Sequence, residues 1–337
     1  MQASFSCPLC GRDSWESVGR FTYEASEHGP KGVFAGDAYA SLRRRILFEV
    51  WFPGQDRVEL GTQFCRSCGF FCYSPRPEAA DIDAKYAFLS ETEVDIGAAK
   101  APTDQVKRLD RQRGRDVFAR LEATGPVSGS VLDIGGGDGK LMAPFHERGC
   151  SCHIVDYNPH PVEGVERLGN TVADIPDVMS FDLVTCCHVL EHVADPVQFL
   201  RDARQTLATN GRAYFEVPVE IWKDVPIRRE PVTHVNFFTL ESLKFAMRRA
   251  GFKVMTGAFE VGWYAGQRIL IAWAIGGRDE SSIEPPLPGD VATRSLVNPS
   301  SKQLLYRAAI IEPKLERSLA PYLRLPVTVL RRLLRKD

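Results

Sequence analysis

The segment VLDIGGGDG at residues 131–139 constrains this chain more than any other. An apolar run leads into a turn with glycine at 135, 136, 137 and 139, and a helix-compatible stretch follows. Glycine reaches positive φ without steric cost and lets a ligand approach the main chain where a Cβ would stand. Such a turn is either a tight strand–helix connection or the cradle of a small molecule. The dinucleotide pattern G-x-G-x-x-G fails in both frames. Counted from Gly135 its third position is Lys140, and counted from Gly137 it is Met142. Asp133 at the strand end and Asp138 in the loop add negative charge. That charge repels a pyrophosphate and attracts an ammonium or sulfonium group.

Around this loop, residues 126–276 alternate short β-rich runs with helical patterns, as in a parallel α/β sheet. Strands are expected at 131–134, 153–156, 171–173, 181–187, 212–217, 252–256 and 268–275, with helices at 140–148, 196–207 and 240–250. Asn210 with Gly211, and Gly251, read as helix stops. The expected architecture is α/β: a Rossmann-like seven-stranded sheet with an N-terminal zinc-ribbon-like domain and a C-terminal helical extension. Residues 1–80 would form the ribbon-like domain with an insert, 81–125 a helical linker or cap, and 126–276 the core. Residues 277–337 would be a Pro-rich linker and C-terminal helices.

Hydrophobic residues at 44% and charged residues at 25% exclude wholesale disorder. Lys plus Arg is 42 and Asp plus Glu is 43, a net charge of -1, so no whole-protein field draws nucleic acid. No apolar run reaches the roughly 18 residues of a spanning helix. Residues 1–10 lack the basic-then-apolar pattern of a signal peptide. Nine cysteines without a secretion signal argue for metal ligation, reduced thiols or burial, and the expected location is the cytoplasm.

Cys7 and Cys10 form one C-x-x-C unit, and Cys65 and Cys68 a second. Each tight turn brings two thiolates to one ion, and two turns complete a tetrahedral zinc site. Residues 11–64 separate the pairs, more than the roughly 15–20 residues of compact ribbons. An inserted subdomain therefore has to bring the knuckles together. Unmetallated or redox-active pairs are the alternative. Cys72 is a spare ligand or a packed thiol, and Cys150, Cys152, Cys186 and Cys187 fall on or beside expected strands, as core residues do.

The glycine loop resembles the first motif of class I S-adenosylmethionine-dependent methyltransferases. The later marks agree in order: Asp156 ends the second strand, Asp174 follows the third, and FDLVTCCHVLEH at 181–192 is similar to the fourth strand and the loop after it. The resemblance implies cofactor contacts at Asp133, Gly135, Gly137, Gly139, Asp156, Tyr157, Asp174, Ile175 and His188. Asp156 would accept the ribose hydroxyls, and Asp174 would stand by the adenine amine. A zinc knuckle pair before this core resembles a bacterial group that includes the sugar C-methyltransferases of deoxysugar pathways. CGFFCYSPRP at 68–77 with Tyr86, and HVNFFTLESL at 234–243, look like further marks of that group. The implied cofactors are S-adenosylmethionine and structural Zn2+. The implied partner is a small-molecule acceptor such as a nucleotide-linked or polysaccharide sugar.

Ligands of open α/β sheets lie beyond the carboxyl ends of the strands. His188, Glu191 and His192 follow the fourth strand there, and His234 precedes Thr239, the expected cap of the last helix. All four are candidate catalytic residues. A hydroxyl or carbon-acid acceptor needs a base, and a histidine oriented by an acid supplies one; Glu230 is the nearby acid in sequence. Packing, capping and loop hydrogen bonds are the structural alternatives. Tyr86 would close over the cofactor or pack in the core. Residues 104–121 read as a helix whose Arg108, Arg111, Arg113 and Arg115 line an anion pocket or a solvated face. Residues 325–336 are basic and amphipathic, suited to peripheral membrane contact or to packing on the core or a second subunit. Zinc-ribbon rRNA methyltransferases also begin with C-x-x-C, which makes RNA the alternative acceptor. The net charge of -1 opposes it. A binding module that keeps the core as a scaffold is the third reading.

Overall fold

The computed structural model describes residues 5–26, 38–92, 104–157, 160–222, 225–226, 231–264, 267–279 and 287. The chain divides into two compact units, Met1–Asn298 and Pro299–Asp337, and every described residue belongs to the first. The expected C-terminal helices and the basic stretch at 325–336 lie outside the described residues, as does Glu230. Among the described residues no helix is long and apolar enough to cross a membrane.

Among the described residues, thirteen strands and six α-helices follow one another. Strand β1 (Trp15–Glu24), helix α1 (Ala38–Arg45), a π-helical segment (Ile46–Trp51), β2 (Arg57–Cys65), β3 (Phe71–Ser74), α2 (Ala79–Glu91) and α3 (Asp104–Glu122) come first. Then come β4 (Ser130–Ile134), α4 (Ala143–Glu147), β5 (Ser151–Val155), β6 (Val165–Gly169), β7 (Phe181–Cys187), α5 (Pro196–Gln205) and β8 (Leu207–Pro218). Short β9 (Ile221–Trp222), β10 (Val225–Pro226) and β11 (Asn236–Phe237) precede α6 (Leu240–Arg249), β12 (Phe252–Tyr264) and β13 (Gln267–Arg278).

The seven-stranded sheet runs β12-β13-β8-β7-β4-β5-β6. Strands β4 to β8 pair in parallel, and β13 and β12 are added antiparallel. The chain leaves β4 toward β5 and β6, then returns to β7 and β8 on the other side. The switch point therefore lies between β4 and β7, where open α/β sheets place their ligand.

Apolar faces explain the layers. Leu200 and Ala203 of α5, and Leu243, Phe245 and Met247 of α6, are buried with Phe215 and Phe252 on one side of the sheet. Val117 and Leu121 of α3 and Phe145 of α4 are buried with Val131, Ile154 and Trp273 on the other. Each such side chain contributes about 1.5–3 kcal/mol on leaving water. Asp195 caps α5 by accepting from the N–H groups of Val197 and Gln198, and Thr239 caps α6 through Ser242. Gly251, at φ 85°, ends α6 as expected.

Three expectations need correction. The third strand is β6 at Val165–Gly169; residues Val172–Asp174 form a 3-10 turn capped by Thr171, whose reciprocal bonds with Asp174 satisfy the turn's N–H groups. Asn210 and Gly211 lie inside β8 and stop no helix, since α5 already ends at Gln205. A Cβ at Gly211 would stand 2.9 Å from the Phe181 carbonyl, so glycine there admits the close approach of β7. The helix expected at 140–148 is a 3-10 turn, Lys140–Met142, followed by the five-residue α4, with Pro144 in its first turn.

A second, antiparallel sheet runs β1-β2-β3-β11. Strands β1 and β2 fall within the span between the cysteine pairs, and their register sets Trp15 opposite Cys65. This pairing draws the first cysteine turn against the second. Strand β11 comes from the segment before α6, and Asn236 pairs with Cys72 of β3.

Candidate active site and cysteine centre

Two turns flank the switch point. Gly135, after β4, takes φ 71°, and a Cβ there would stand 2.4 Å from Val189 Cγ2. Gly137 takes φ 61° and has no atom within 4 Å of where a Cβ would be, so its backbone faces open space. Its N–H donates to Asp156 Oδ2 at 2.9 Å, which fixes that carboxylate beside the opening. Below the turn, Asp133 is buried, and Oδ1 accepts the Thr185 hydroxyl at 2.7 Å. Oδ2 is buried with no hydrogen-bond partner. Burial raises this carboxyl to about 7, against the Thr185 hydrogen bond and the Arg113 charge.

After β7, His188 takes φ 60°, a left-handed conformation that costs a non-glycine residue about 1–2 kcal/mol. Its N–H donates to the Glu216 carbonyl at 2.9 Å. Its ring lies between two buried carboxylates, Nε2 at 3.2 Å from Glu216 Oε1 and Nδ1 at 3.4 Å from Glu191 Oε1. Tyr264 stacks on the ring at 4.6 Å. Burial opposes the imidazolium, yet Glu191 and Glu216 outweigh it and raise the His188 pKa. With an acid near each nitrogen, the His188 ring is drawn toward its charged form.

Glu216 also accepts from Arg113 Nη2 at 3.0 Å, Arg120 Nη1 at 3.3 Å and the Tyr214 hydroxyl at 2.5 Å. Burial disfavours its charge, but His188 and Arg113 hold the carboxyl far below the usual range. Arg120 further pairs with Glu260 on β12. Of the four arginines read on the 104–121 helix, Arg108, Arg111 and Arg115 are exposed, whereas Arg113 is an internal ion-pair partner.

Glu191, His192 and His234 form a second constellation. Glu191 is 1% exposed, and neither carboxylate oxygen has a hydrogen-bond partner. Burial opposes its charge, while His188, His192 and His234 bring the carboxyl down to about 2. His192 Nδ1 donates to the Thr233 carbonyl at 2.7 Å, and His234 Nδ1 lies 2.6 Å from Glu220 Oε2. Glu220 thus takes the orienting role that sequence gave to Glu230. Burial lowers the His192 pKa to about 4, leaving the ring neutral. The two rings stand 4.8 Å apart, edge to face.

Between the two constellations, Tyr86 of α2 stacks on Tyr157 at 6.0 Å and an interplanar angle of 14°. Burial pushes the Tyr86 hydroxyl up to about 12, with Tyr157, Glu191 and Asp156 adding to it. Tyr157 is 64% exposed over the cleft. Asp174 accepts the N–H groups of Asn170 and Thr171 at 2.7 and 2.9 Å, and Ile175 is buried beside it. Gly139, at φ 78°, caps the turn that follows the loop.

The four cysteines of the paired units meet in one buried cluster. Cys7 Sγ lies 3.5 Å from Cys68 Sγ, Cys10 Sγ lies 3.5 Å from Cys65 Sγ, and all four atoms fall within 4.8 Å of one another. None forms a disulfide. This separation suits four thiolates about 2.3 Å from one ion. Cys72 is a fully buried packed thiol, and burial raises it to about 12. Cys150, Cys152, Cys186 and Cys187 are all buried in the core.

Glu216, Glu220 and Tyr264 are not among the expected site residues, and Arg113, expected in an anion pocket or on a solvated face, is instead the ion-pair partner of Glu216. Glu216 carried a signal: a lone acid within the apolar run AYFEVPV of a central strand. An acid at such a position is buried only if paired.

The strand order and the glycine turn that follows β4 give a Rossmann-like methyltransferase fold. Residues 107–256 match the family model described as a methyltransferase domain. The chain is similar to the ubiquinone biosynthesis O-methyltransferase of Xanthomonas axonopodis pv. citri (strain 306). That match is 30% identical over 156 residues and covers 40% of this chain and 64% of that protein. The protein of the same name from Xanthomonas campestris pv. campestris (strain B100) is 29% identical over 162 residues, covering 42% and 64%. The chain thus spans less than two thirds of these curated relatives. Among solved structures, the Burkholderia thailandensis 1,6-didemethyltoxoflavin-N1-methyltransferase has a TM-score of 0.46 at 20% identity, covering 60% of this chain and 92% of that one.

Proposed function

We propose that this chain transfers the methyl group of S-adenosylmethionine to a small-molecule acceptor in the cytoplasm, and that the acceptor is a nucleotide-linked or polysaccharide sugar. The observation that carries this reading is the Asp156 carboxylate fixed by the Gly137 N–H beside open space. A carboxylate so placed accepts two ribose hydroxyls, and the side-chain-free turn admits the nucleoside's methionyl part. Tyr157 and Tyr86 cover the adenosine side, and the buried charge of Asp133 stands below the turn.

The acceptor's place is the pocket of His192 and His234. In the reaction the acceptor atom attacks the methyl carbon in line with the breaking S–C bond, whose electron pair stays on sulfur. A hydroxyl or carbon acid must give up a proton. That proton passes to His192 Nε2, on a ring kept neutral by burial with its Nδ1 committed to Thr233, or to solvent where an ion occupies that lone pair. His188, drawn toward its charged form, acts by charge and position rather than as a base. Alignment of the reacting atoms supplies much of the rate.

The cysteine cluster holds structural Zn2+ in this reading. It shares a buried cluster with Phe238 and Leu243, next to the acceptor loop. A second reading is favoured by the relatives' names, which speak of O-methylation in ubiquinone biosynthesis: the acceptor oxygen then belongs to a ring hydroxyl. Incubation with S-adenosylmethionine labelled in the methyl group, and with nucleotide sugars, polysaccharide, hydroxylated aromatics and RNA in parallel, separates these. Label in the sugar fraction supports the first reading. Label confined to aromatics moves the assignment to the second, and label confined to RNA rejects both.

A further inference from the structure

We infer that Glu191, His192 and His234 bind a divalent cation of the zinc class, distinct from the ion of the cysteine cluster. The argument is one of donors and acceptors. A carbonyl only accepts, so the His192 Nδ1 that lies 2.7 Å from the Thr233 carbonyl carries the proton. An ionised carboxylate only accepts, so the His234 Nδ1 facing Glu220 at 2.6 Å carries the proton too. Both Nε2 atoms are then the ring positions left to ligate an ion.

Those positions converge on a third acceptor. The Glu191 carboxylate lies 3.8 Å from His192 Nε2, and one ligand atom from each of the three residues falls within 4.8 Å of the others. Both Glu191 oxygens are buried without a hydrogen-bond donor. Three ligand atoms gathered around one point suit a cation held between them. A buried carboxylate carries a large desolvation cost that such a cation offsets. His188 Nδ1 stands 3.4 Å from Glu191 Oε1, the oxygen that also lies 3.8 Å from His192 Nε2.

The donor set fits the ion. Two imidazole nitrogens and one carboxylate oxygen form the three-ligand set of catalytic zinc sites, which keep a fourth position open, with ligands at about 2.0–2.2 Å. A small inward movement of the rings closes the present span to that length. The backbone carbonyl and the carboxylate behind the two Nδ1 atoms are the outer partners that metal-bound histidines use. His192 is 25% exposed, which gives the ion a path in. The inference deepens the proposed function, because the open position faces the acceptor's place and takes one of its oxygens. The two claims fail separately.

The test is metal stoichiometry on the full chain, using zinc alone and cobalt(II) alone after chelation and dialysis. Two zinc ions per chain are expected. Cobalt at the cysteine cluster gives intense sulfur charge-transfer bands, and cobalt at the second site adds weak visible bands. His234→Gln, His192→Gln and Glu191→Gln should each remove the weak bands and weaken the second ion by about a hundredfold or more. The sulfur bands, retained, report that the variant is folded. One ion per chain in the wild type overturns the inference, as does a second ion that survives all three substitutions. A chain that transfers methyl groups with one ion bound overturns it and leaves the proposed function standing. A chain that binds the second ion but transfers no label to any acceptor does the reverse.

Discussion

His188 and Glu216 are joined twice, once through the backbone at 2.9 Å and once through their side chains at 3.2 Å. The first bond continues the ladder in which Cys187 stands opposite Glu216. The second clamps the ring after the chain has turned into the left-handed region. Glu216→Gln keeps the shape and removes the charge that Arg113, Arg120 and His188 share. Breaking a buried charge network in this way costs about 3–5 kcal/mol. Denaturant unfolding should show that loss, and NMR titration should show the His188 pKa falling. An unchanged His188 titration would remove Glu216 from its role.

Asp156→Ala should weaken S-adenosylmethionine binding by about a hundredfold, as expected for the loss of two hydrogen bonds to a charged acceptor at roughly 1.5 kcal/mol each. Calorimetry of the purified chain measures it, and the melting temperature without cofactor should change little.

Gly135 and Gly137 separate stability from binding. Gly135→Ala meets Val189 at 2.4 Å as well as the cost of φ 71°, so the fold should lose stability whether or not cofactor is present. Gly137→Ala pays only the left-handed term, about 1–2 kcal/mol. Its new methyl enters open space, so cofactor affinity should fall at least tenfold while the chain stays folded. Paired thermal melts and binding isotherms decide this.

Asp133 predicts a pH effect in the cofactor-free chain. Its carboxyl sits at about 7 in the fold against a reference value of 3.8. The native state therefore holds the proton more tightly than the unfolded chain does. Stability from this group is full below about pH 4, declines as pH rises, and is gone above about pH 7. Thr185, Arg113, Asp156 and Glu216 all bear on that value. Asp133→Asn should melt higher than wild type at pH 8, with the difference closing by pH 4. A constant difference across that range would count against the assignment.

Modification of thiols with a mercurial should release one zinc per chain from the cysteine cluster, read with a colorimetric chelator. Loss of that ion should also expose the buried Phe70 and Phe238, which pack edge to face at 5.5 Å next to the cluster. Fluorescence of a bound hydrophobic dye reports the exposure.

The parallel core was legible because its strands are continuous apolar runs and its loop glycines mark the turn from the first of them into a helix. Boundaries were harder. Thr171 to Ala173 looked like a strand by its β-branched residues, but Asp174 turns back to bond Asn170 and Thr171, and local capping won. Asn210 with Gly211 looked like a stop, and the close approach of β7 used the glycine instead. The site divided in the same way. Residues beside a motif, such as Asp156, His188, Glu191 and His192, could be found by position along the chain. The role of Glu220, and the pairing of Arg113 with Glu216 across α3 and β8, could not, because such partners are joined only by tertiary structure.

The pairing of Asn236 with Cys72 makes one strip of backbone serve both the cysteine sheet and the histidine loop that precedes α6. Exchange of modules is therefore restricted. A chimaera that grafts residues 1–92 of a relative onto this core keeps a working acceptor pocket only if the graft reproduces that two-residue seam. Substrate range in such proteins should be inherited with the amino-terminal half and the His234 segment together, as one unit of descent.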